Sequence, residues 1–187
     1  MHERYIESQD LLGLPVVPFE ELEERHPASR CSMFVAVGFS GANRTRRTVY
    51  EECKAKGYEL ISYVNSKAIH WGEVALGDNC FVFEANVIQP FVRIGSNVIV
   101  WSGNHIGHHS RIGDHCFIAS HAVISGNVTI GEESFVGVNA TFRDGVTVAP
   151  RCLIGAGALI MKDTQEGAVY SVRGTEPREI KSWDVKL

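Results

Sequence analysis

The sequence predicts a mainly β protein, a parallel β-helix of about five coils behind a small α/β unit. Three observations carry this. From Leu76 onward every sixth residue is aliphatic or Phe: Leu76, Val82, Ile88, Ile94, Val100, Ile106, Ile112, Ile118, Ile124, Ile130, Val136, Phe142, Val148, Ile154 and Ile160. The eighteen glycines of the 187-residue chain concentrate in its second half and often follow these apolar positions, as at Gly77, Gly95, Gly107, Gly113, Gly131, Gly137 and Gly155. Residues 1–70 follow another rule, with helical and strand-like stretches in alternation.

In chain order, Phe19 to Arg25 suits a short acidic helix closed near Pro27. Met33 to Gly38 is an apolar run of strand length. Asn43 to Lys56 suits a helix stopped by Gly57, and Tyr58 to Val64 reads as a second strand. Strand, helix and strand suggest a parallel βαβ unit. The link Gly38-Phe39-Ser40-Gly41-Ala42-Asn43 lacks the G-x-G-x-x-G spacing of a dinucleotide site.

A six-residue period with an unbroken apolar lane means stacked short strands. Two residues before each large apolar residue comes a mostly small one, such as Cys80, Asn86, Asn104, Ser110, Cys116, Ala122, Ser134 and Cys152. Large and small inward residues alternate to fill a narrow core, and Gly or Asn eases corners of positive φ. Three hexads make a triangular coil, so five coils rise to roughly 24 Å. Cys80, Cys116 and Cys152 then lie two coils apart, too far for disulfides, and read as small core residues. The segment from Asp163 leaves the period and packs back on the last coil or on a neighbouring subunit. The expected organisation is 1–70, a small α/β unit; 71–162, the β-helix; and 163–187, a tail.

Composition excludes several classes. Apolar residues are 44%, charged residues 21% and the net charge −4, which fits an ordered globular chain without a basic nucleic-acid surface. There is no eighteen-residue apolar run for a membrane span. Met1 to Arg4 is not followed by an apolar stretch, so no secretory signal is expected. Five cysteines without a C-x-x-C make a disulfide framework or structural zinc poor readings, and the default compartment is the cytoplasm.

Five of the eight histidines fall between 105 and 121. The hexad phase points them outward or puts them at corners. His108 and His109 share one corner, one coil above Gly126 and Asn127 and two above Asp144 and Gly145. His115 and His121 belong to the other two corners. For His115 and His105 polar surface is the simpler reading.

The stretch Asn104-His105-Ile106-Gly107-His108-His109-Ser110-Arg111-Ile112-Gly113-Asp114 resembles the catalytic turn of the hexapeptide-repeat acyltransferases. More narrowly, it resembles the sialic-acid O-acetyltransferase and nucleotide-sugar N-acetyltransferase family. Ser125 to Gly131, Phe135 to Ala140 and Leu153 to Ala158 resemble later coils. Leu14 to Pro18, Val37-Gly38 and Arg46-Arg47 resemble the family's N-terminal βα unit. The resemblance implies a left-handed coil. It also implies acetyl-CoA as acyl donor and a sugar or nucleotide-sugar acceptor of surface-polysaccharide synthesis, such as lipopolysaccharide. It further implies a homotrimer with active sites between subunits. His108 is the implied general base, with His109 where the family has an acid. Gly126, Val138 and Ala156 are implied for coenzyme A, and Gly38 for the acceptor. No metal is implied. The family's opening strand and Gly-rich loop lie upstream of where this sequence begins, which implies weak nucleotide-sugar binding.

The chemistry suits the residues. Acyl transfer from a thioester needs a base near neutral pH and donors for an oxyanion, which a corner amide at Gly126 could supply. Arg178 and Lys181 are candidate phosphate partners. Phe81, Trp101, Phe117 and Phe135 point outward, an apolar surface suited to a threefold contact. Two alternatives are a non-catalytic β-helix scaffold and a γ-type carbonic anhydrase. The latter needs a His-x4-His pair, and no two histidines here are five apart.

Overall fold

Left-handed backbone recurs at every sixth residue from Asn79 to Gly157, fourteen corners with φ between 51° and 75°. Each turns the chain between two-residue strands. A computed structural model describes residues 6–72, 74–177 and 179–184. Arg178, a candidate phosphate partner, and the opening residues 1–5 lie outside the described residues.

The strands pair in parallel on three faces of a prism. The first face stacks Tyr63–Val64, Phe81–Val82, Ile99–Val100, Phe117–Ile118, Phe135–Val136, Leu153–Ile154 and Val169–Tyr170. The second stacks Ile69–His70, Val87–Ile88, His105–Ile106, Val123–Ile124, Thr141–Phe142 and Leu159–Ile160. The third stacks Ala75–Leu76, Arg93–Ile94, Arg111–Ile112, Thr129–Ile130 and Thr147–Val148. The apolar lane forms one continuous core, with Val82, Val100, Ile106, Ile118, Ile124, Val136, Phe142, Val148 and Ile154 fully buried. The polar members of the small lane are satisfied across rungs. Asn104 Nδ2 donates to Asn86 Oδ1 at 3.0 Å, Asn104 Oδ1 accepts from Ala122 N–H at 2.7 Å, and Ser110 Oγ–H donates to Ser125 O at 2.9 Å.

The coils number about six rather than five. The first rung is hidden in the sequence because His70 occupies the apolar lane. It sits at the open end of the prism, where an exposed polar side chain costs little. Tyr63–Val64 therefore opens the β-helix by pairing with Phe81–Val82, instead of closing a separate βαβ unit. The tail returns to the last coil, where Val169 pairs with Leu153. That spacing is sixteen residues rather than the usual eighteen, so the repeat is lost from the sequence while the pairing continues.

Before the prism, Asp10–Leu11 and Leu14–Pro15 form an antiparallel hairpin. A 3₁₀ turn at Phe19–Glu21 leads into α1 (Leu22–Arg25), and α2 spans Arg44–Ala55. Gly57, at φ 83°, stops α2 as expected. The expected strand at 33–38 reduces to one bridge, Met33 to Leu60. Its next amide, Val35 N–H, goes instead to Asn79 Oδ1 at 2.7 Å, on a prism corner.

Arg46 and Asn43 of the α2 entry join the two units. The Arg46 side chain is wholly buried. Its guanidinium donates to Asn97 O, Gly38 O, Asn43 Oδ1, His115 O and Cys116 O at 2.7–3.3 Å, with no carboxylate among these acceptors. Burial lowers its pKa to about 10, which leaves it charged at neutral pH. Asn43 does not cap the helix; its Nδ2 donates to Glu133 O and Ser134 O. Arg47 pairs with Glu133, and Lys54 with Asp78 at 2.7 Å.

The outward aromatics of the first face are not a free surface. Phe39 packs on Phe117 and Phe135 at ring distances of 5.0 and 5.3 Å, and Phe34 on Phe81 at 5.5 Å. Phe117 is buried, while Trp101 stays 42% exposed, stacked on Phe83. The chain's own N-terminal segment covers most of the patch expected to serve subunit contact.

Replacing Arg46 with Ala strands its backbone acceptors in the seam and removes the clamp, a loss of about 3–5 kcal/mol. Urea unfolding of Arg46→Ala against wild type measures it; a loss below about 1 kcal/mol is inconsistent with a buried, fully bonded arginine.

A second expectation concerns acid. Val35 N–H, Asn79, Asn97 and His115 form a directed chain: Asn79 Nδ2 donates to Asn97 Oδ1 at 2.8 Å, and Asn97 Nδ2 faces His115 Nδ1 at 2.8 Å. A backbone donor at one end requires an acceptor at the other, so His115 Nδ1 must be bare. Burial lowers the His115 pKa below 6.5, with Asp114 opposing and Arg47 adding to the shift. The unfolded chain therefore binds the proton first. The contribution is complete above pH ~6.5 and is lost as pH falls from there through the lower folded value. His115→Asn keeps an acceptor and a residue suited to positive φ. It should flatten the pH dependence of the melting temperature below about pH 6.5; an unchanged slope would remove His115 from the account.

Candidate active site

The five clustered histidines disperse over the prism. His105 lies on the second face, His115 on the third–first corner beneath α2, and His121 on the first–second corner. Only His108 and His109 come together, at the second–third corner. His109 holds the left-handed position, φ 61°, a conformation in which His and Asn are enriched. His108, one residue earlier, is free of that requirement.

Their Nδ1 atoms lie 3.1 Å apart, so one of the two carries the shared hydrogen. The rings are nearly perpendicular, and His109 also packs on Phe91, one rung above, at 4.7 Å. The His108 N–H donates to Gln89 Oε1 at 2.9 Å. The group that engages His108 is thus the neighbouring imidazole, in the place where the resembling family has an acid.

Below His108 the corner is built for close approach. A methyl group on Gly126 would lie 2.7 Å from His108 Cε1 and Nε2 and 2.8 Å from Asp144 Oδ2. The absence of a side chain therefore lets the imidazole lie across the rung with a carboxylate beneath. A Cβ on Gly107 would come within 2.5 Å of Gly126 N. One rung higher, Gln89 occupies the equivalent place and accepts the His108 amide hydrogen. At Gly107 there is no side chain to do so, and Gly126 N–H has no acceptor among the described residues.

The remaining predicted site residues lie elsewhere in this chain. Val138 and Ala156 stack on the first–second corner, where Gly157 N–H donates to Val138 O at 2.8 Å. The Ala156 N–H, beneath Gly137, is again without an acceptor among the described residues. Val138 is 44% exposed. Gly38 lies by the third–first corner, its carbonyl taken by Arg46 Nη1 at 2.8 Å. The three groups stand on three different edges of the prism. Lys181, the other candidate phosphate partner, is exposed in the tail.

Sequence reasoning placed Asp144 two coils below His108 but gave it no part, and it overlooked Gln89. Both contacts are readable once the chain is folded at a period of eighteen, since Gln89 precedes His108 by nineteen residues and Asp144 follows Gly126 by eighteen. Among the described residues no three His, Cys, Asp or Glu side chains converge as a metal site.

Residues 91–126 and 127–162 match the family described as bacterial transferase hexapeptide (six repeats). No curated protein sequence gives a significant match. Among solved structures, the acetyltransferase domain of PglB from Neisseria gonorrhoeae is 30% identical, with a TM-score of 0.77 over 86% of this chain and 77% of that one. PerB from Caulobacter crescentus, solved with CoA and GDP-perosamine, is 27% identical, with a TM-score of 0.79 over 86% of this chain and 77% of that one. The same Caulobacter enzyme, a perosamine N-acetyltransferase, also matches with one histidine replaced by asparagine, at 26% identity and a TM-score of 0.79 over 87% of this chain and 76% of that one. The chain belongs to the bacterial hexapeptide-repeat transferases, as a left-handed β-helix acyltransferase.

Proposed function

We propose that this acyltransferase moves an acetyl group from acetyl-CoA to an amino or hydroxyl group of a nucleotide-linked sugar, with His108 as general base. The observation that carries the reading is the corner itself: an imidazole engaged by a second imidazole, laid over a glycine whose amide is open. PglB's acetyltransferase domain has been solved with acetyl coenzyme A, and PerB with CoA and GDP-perosamine. Those ligands are the source of the donor and acceptor classes. On this reading the reaction is a cytoplasmic step of surface-polysaccharide synthesis.

His108 Nδ1–H donates to His109 Nδ1 and leaves Nε2 bare. Nε2 takes the proton of the acceptor nitrogen or oxygen as that atom bonds to the thioester carbonyl carbon. The carbonyl oxygen gains the negative charge and accepts from a corner amide, for which Gly126 N–H is the candidate. As the C–S bond breaks, the imidazolium returns its proton to the leaving sulfur. Asp144 lies across Gly126 from the His108 ring.

The separation of Val138 and Ala156 from His108 fits a trimer. The second face lies between their two corners, and its outward Ile69, Val123 and Leu159 are 65%, 42% and 62% exposed. Turning this face toward a threefold axis buries those side chains. It also brings the His108 corner of one subunit beside the Val138–Ala156 corner of the next.

His108→Ala should lower turnover on a nucleotide amino sugar by about a hundred- to ten-thousand-fold, with acetyl-CoA affinity by calorimetry within a few fold. Near-normal turnover would remove this corner from catalysis, and failure of wild type to bind acetyl-CoA would favour a scaffold. Light scattering should give three times the 20.6 kDa chain mass. His108→Ala and Ala156→Trp should each be inactive, yet regain about a quarter of wild-type activity when assembled into mixed trimers. No recovery in verified mixed trimers would place the whole site within one subunit.

A further inference from the structure

We infer that Trp71, Phe91, Arg93 and Arg111 form a nucleoside-diphosphate subsite beside the His108 corner. The inference rests on the acyltransferase reading and adds where a nucleotide is gripped.

Phe91 supplies the first observation. It holds the left-handed corner position, φ 66°, and is 72% exposed. A bulky residue is a true outlier in that region, and here the backbone strain is not repaid by burial. Such strain persists where the surroundings or a ligand require the side chain. The exposed ring, held against His109, offers a flat surface one rung above the proposed base. Trp71, 79% exposed, shares with Phe91 and Arg93 the lining of a depression of about 650 Å³.

The two arginines are independent of that argument. Arg93 and Arg111 are register partners on adjacent rungs of the third face, both exposed. Neither guanidinium has an ion pair or hydrogen bond among the described residues. Like charges opposed on neighbouring strands destabilise a sheet. A bound dianion turns that repulsion into attraction, and the guanidinium fork matches phosphate oxygens in pairs. Arg93 and Arg111 also share a groove of about 450 Å³, whose far wall carries Asp114 and Glu132. Asp114 Oδ1 already accepts Ser96 N–H at 2.7 Å. The carboxylate wall confines an anion to the arginine side, which is the side nearer His108.

A stacking ring followed by two forks is the order of a base followed by its phosphates. Two ligands of this reaction carry that chemistry: the nucleotide of the acceptor and the adenosine diphosphate end of coenzyme A.

The test is calorimetry on the full chain with GDP, UDP and coenzyme A as probes. It compares wild type with Arg93→Gln/Arg111→Gln and with Phe91→Asn. Asparagine suits positive φ, so Phe91→Asn should keep or raise the melting temperature while weakening binding at least fivefold. The double variant should weaken binding at least tenfold and flatten its salt dependence. Loss for GDP or UDP alone assigns the subsite to the acceptor; loss for coenzyme A alone assigns it to the donor. Unchanged affinity for all three probes, or a Phe91→Asn chain that melts lower, overturns the inference while leaving the acyltransferase reading standing. That reading falls separately, if wild type binds no coenzyme A.

Discussion

The constraint on which the rest depends is the left-handed residue at every sixth position. Fourteen corners in succession obey it, and each commits the chain to turn before the next two-residue strand. Residues that accept positive φ hold most of them: Asn79, Asn97, Asn127 and Asn139, Gly103, Gly145 and Gly157, and His109, His115 and His121. A backbone demand therefore explains three of the clustered histidines before any chemistry is invoked. His108 stands apart because nothing in the backbone asks for an imidazole there. The exceptions are Ala85, Phe91, Glu133 and Arg151, and two of them make ion pairs. Glu133 serves the α2 seam by pairing with Arg47, and Arg151 pairs with Glu166.

The prism was legible in the sequence because its core repeats faster than any noise in composition. The ends were not. His70 interrupts the lane where solvent tolerates it, and the return at Val169 shortens the coil by two residues, so periodicity stops before the pairing does. The His108–His109 corner was legible from hexad phase together with family resemblance. Its supports were harder to see, since Gln89 and Asp144 act across rungs and short-range motifs do not register such spacings. The outward aromatics misled for a different reason. Phase gives direction, not cover, and Phe39 covers Phe117 and Phe135 from a segment with no repeat at all.

Arg46 was invisible as a buried group. An arginine on a helix with three other basic residues, Arg44, Arg47 and Lys54, reads as solvated surface. Its fate is set by the prism, whose corner carbonyls at Asn97, His115 and Cys116 would otherwise face an apolar neighbour. Satisfying them with one guanidinium avoids burying unpaired acceptors, and it couples the orientation of α2 to two successive coils. Gly38 and Phe39 are held by the same seam, through Arg46 and through the aromatic contacts on the first face.

The inward thiols of Cys80, Cys116 and Cys152 stand two coils apart along the axis. Cys80 Sγ donates to Gly95 O at 2.9 Å, Cys116 Sγ to Gly131 O at 3.1 Å and Cys152 Sγ to Gln165 O at 3.1 Å. Burial pushes the Cys80 and Cys116 pKa values up to about 11 and about 12, so neither is a reactive thiolate while its coil is closed. The solenoid thus carries native chemical gauges at three heights. The order in which they become alkylated records where the stack parts first, and whether it frays from one end or opens as a whole.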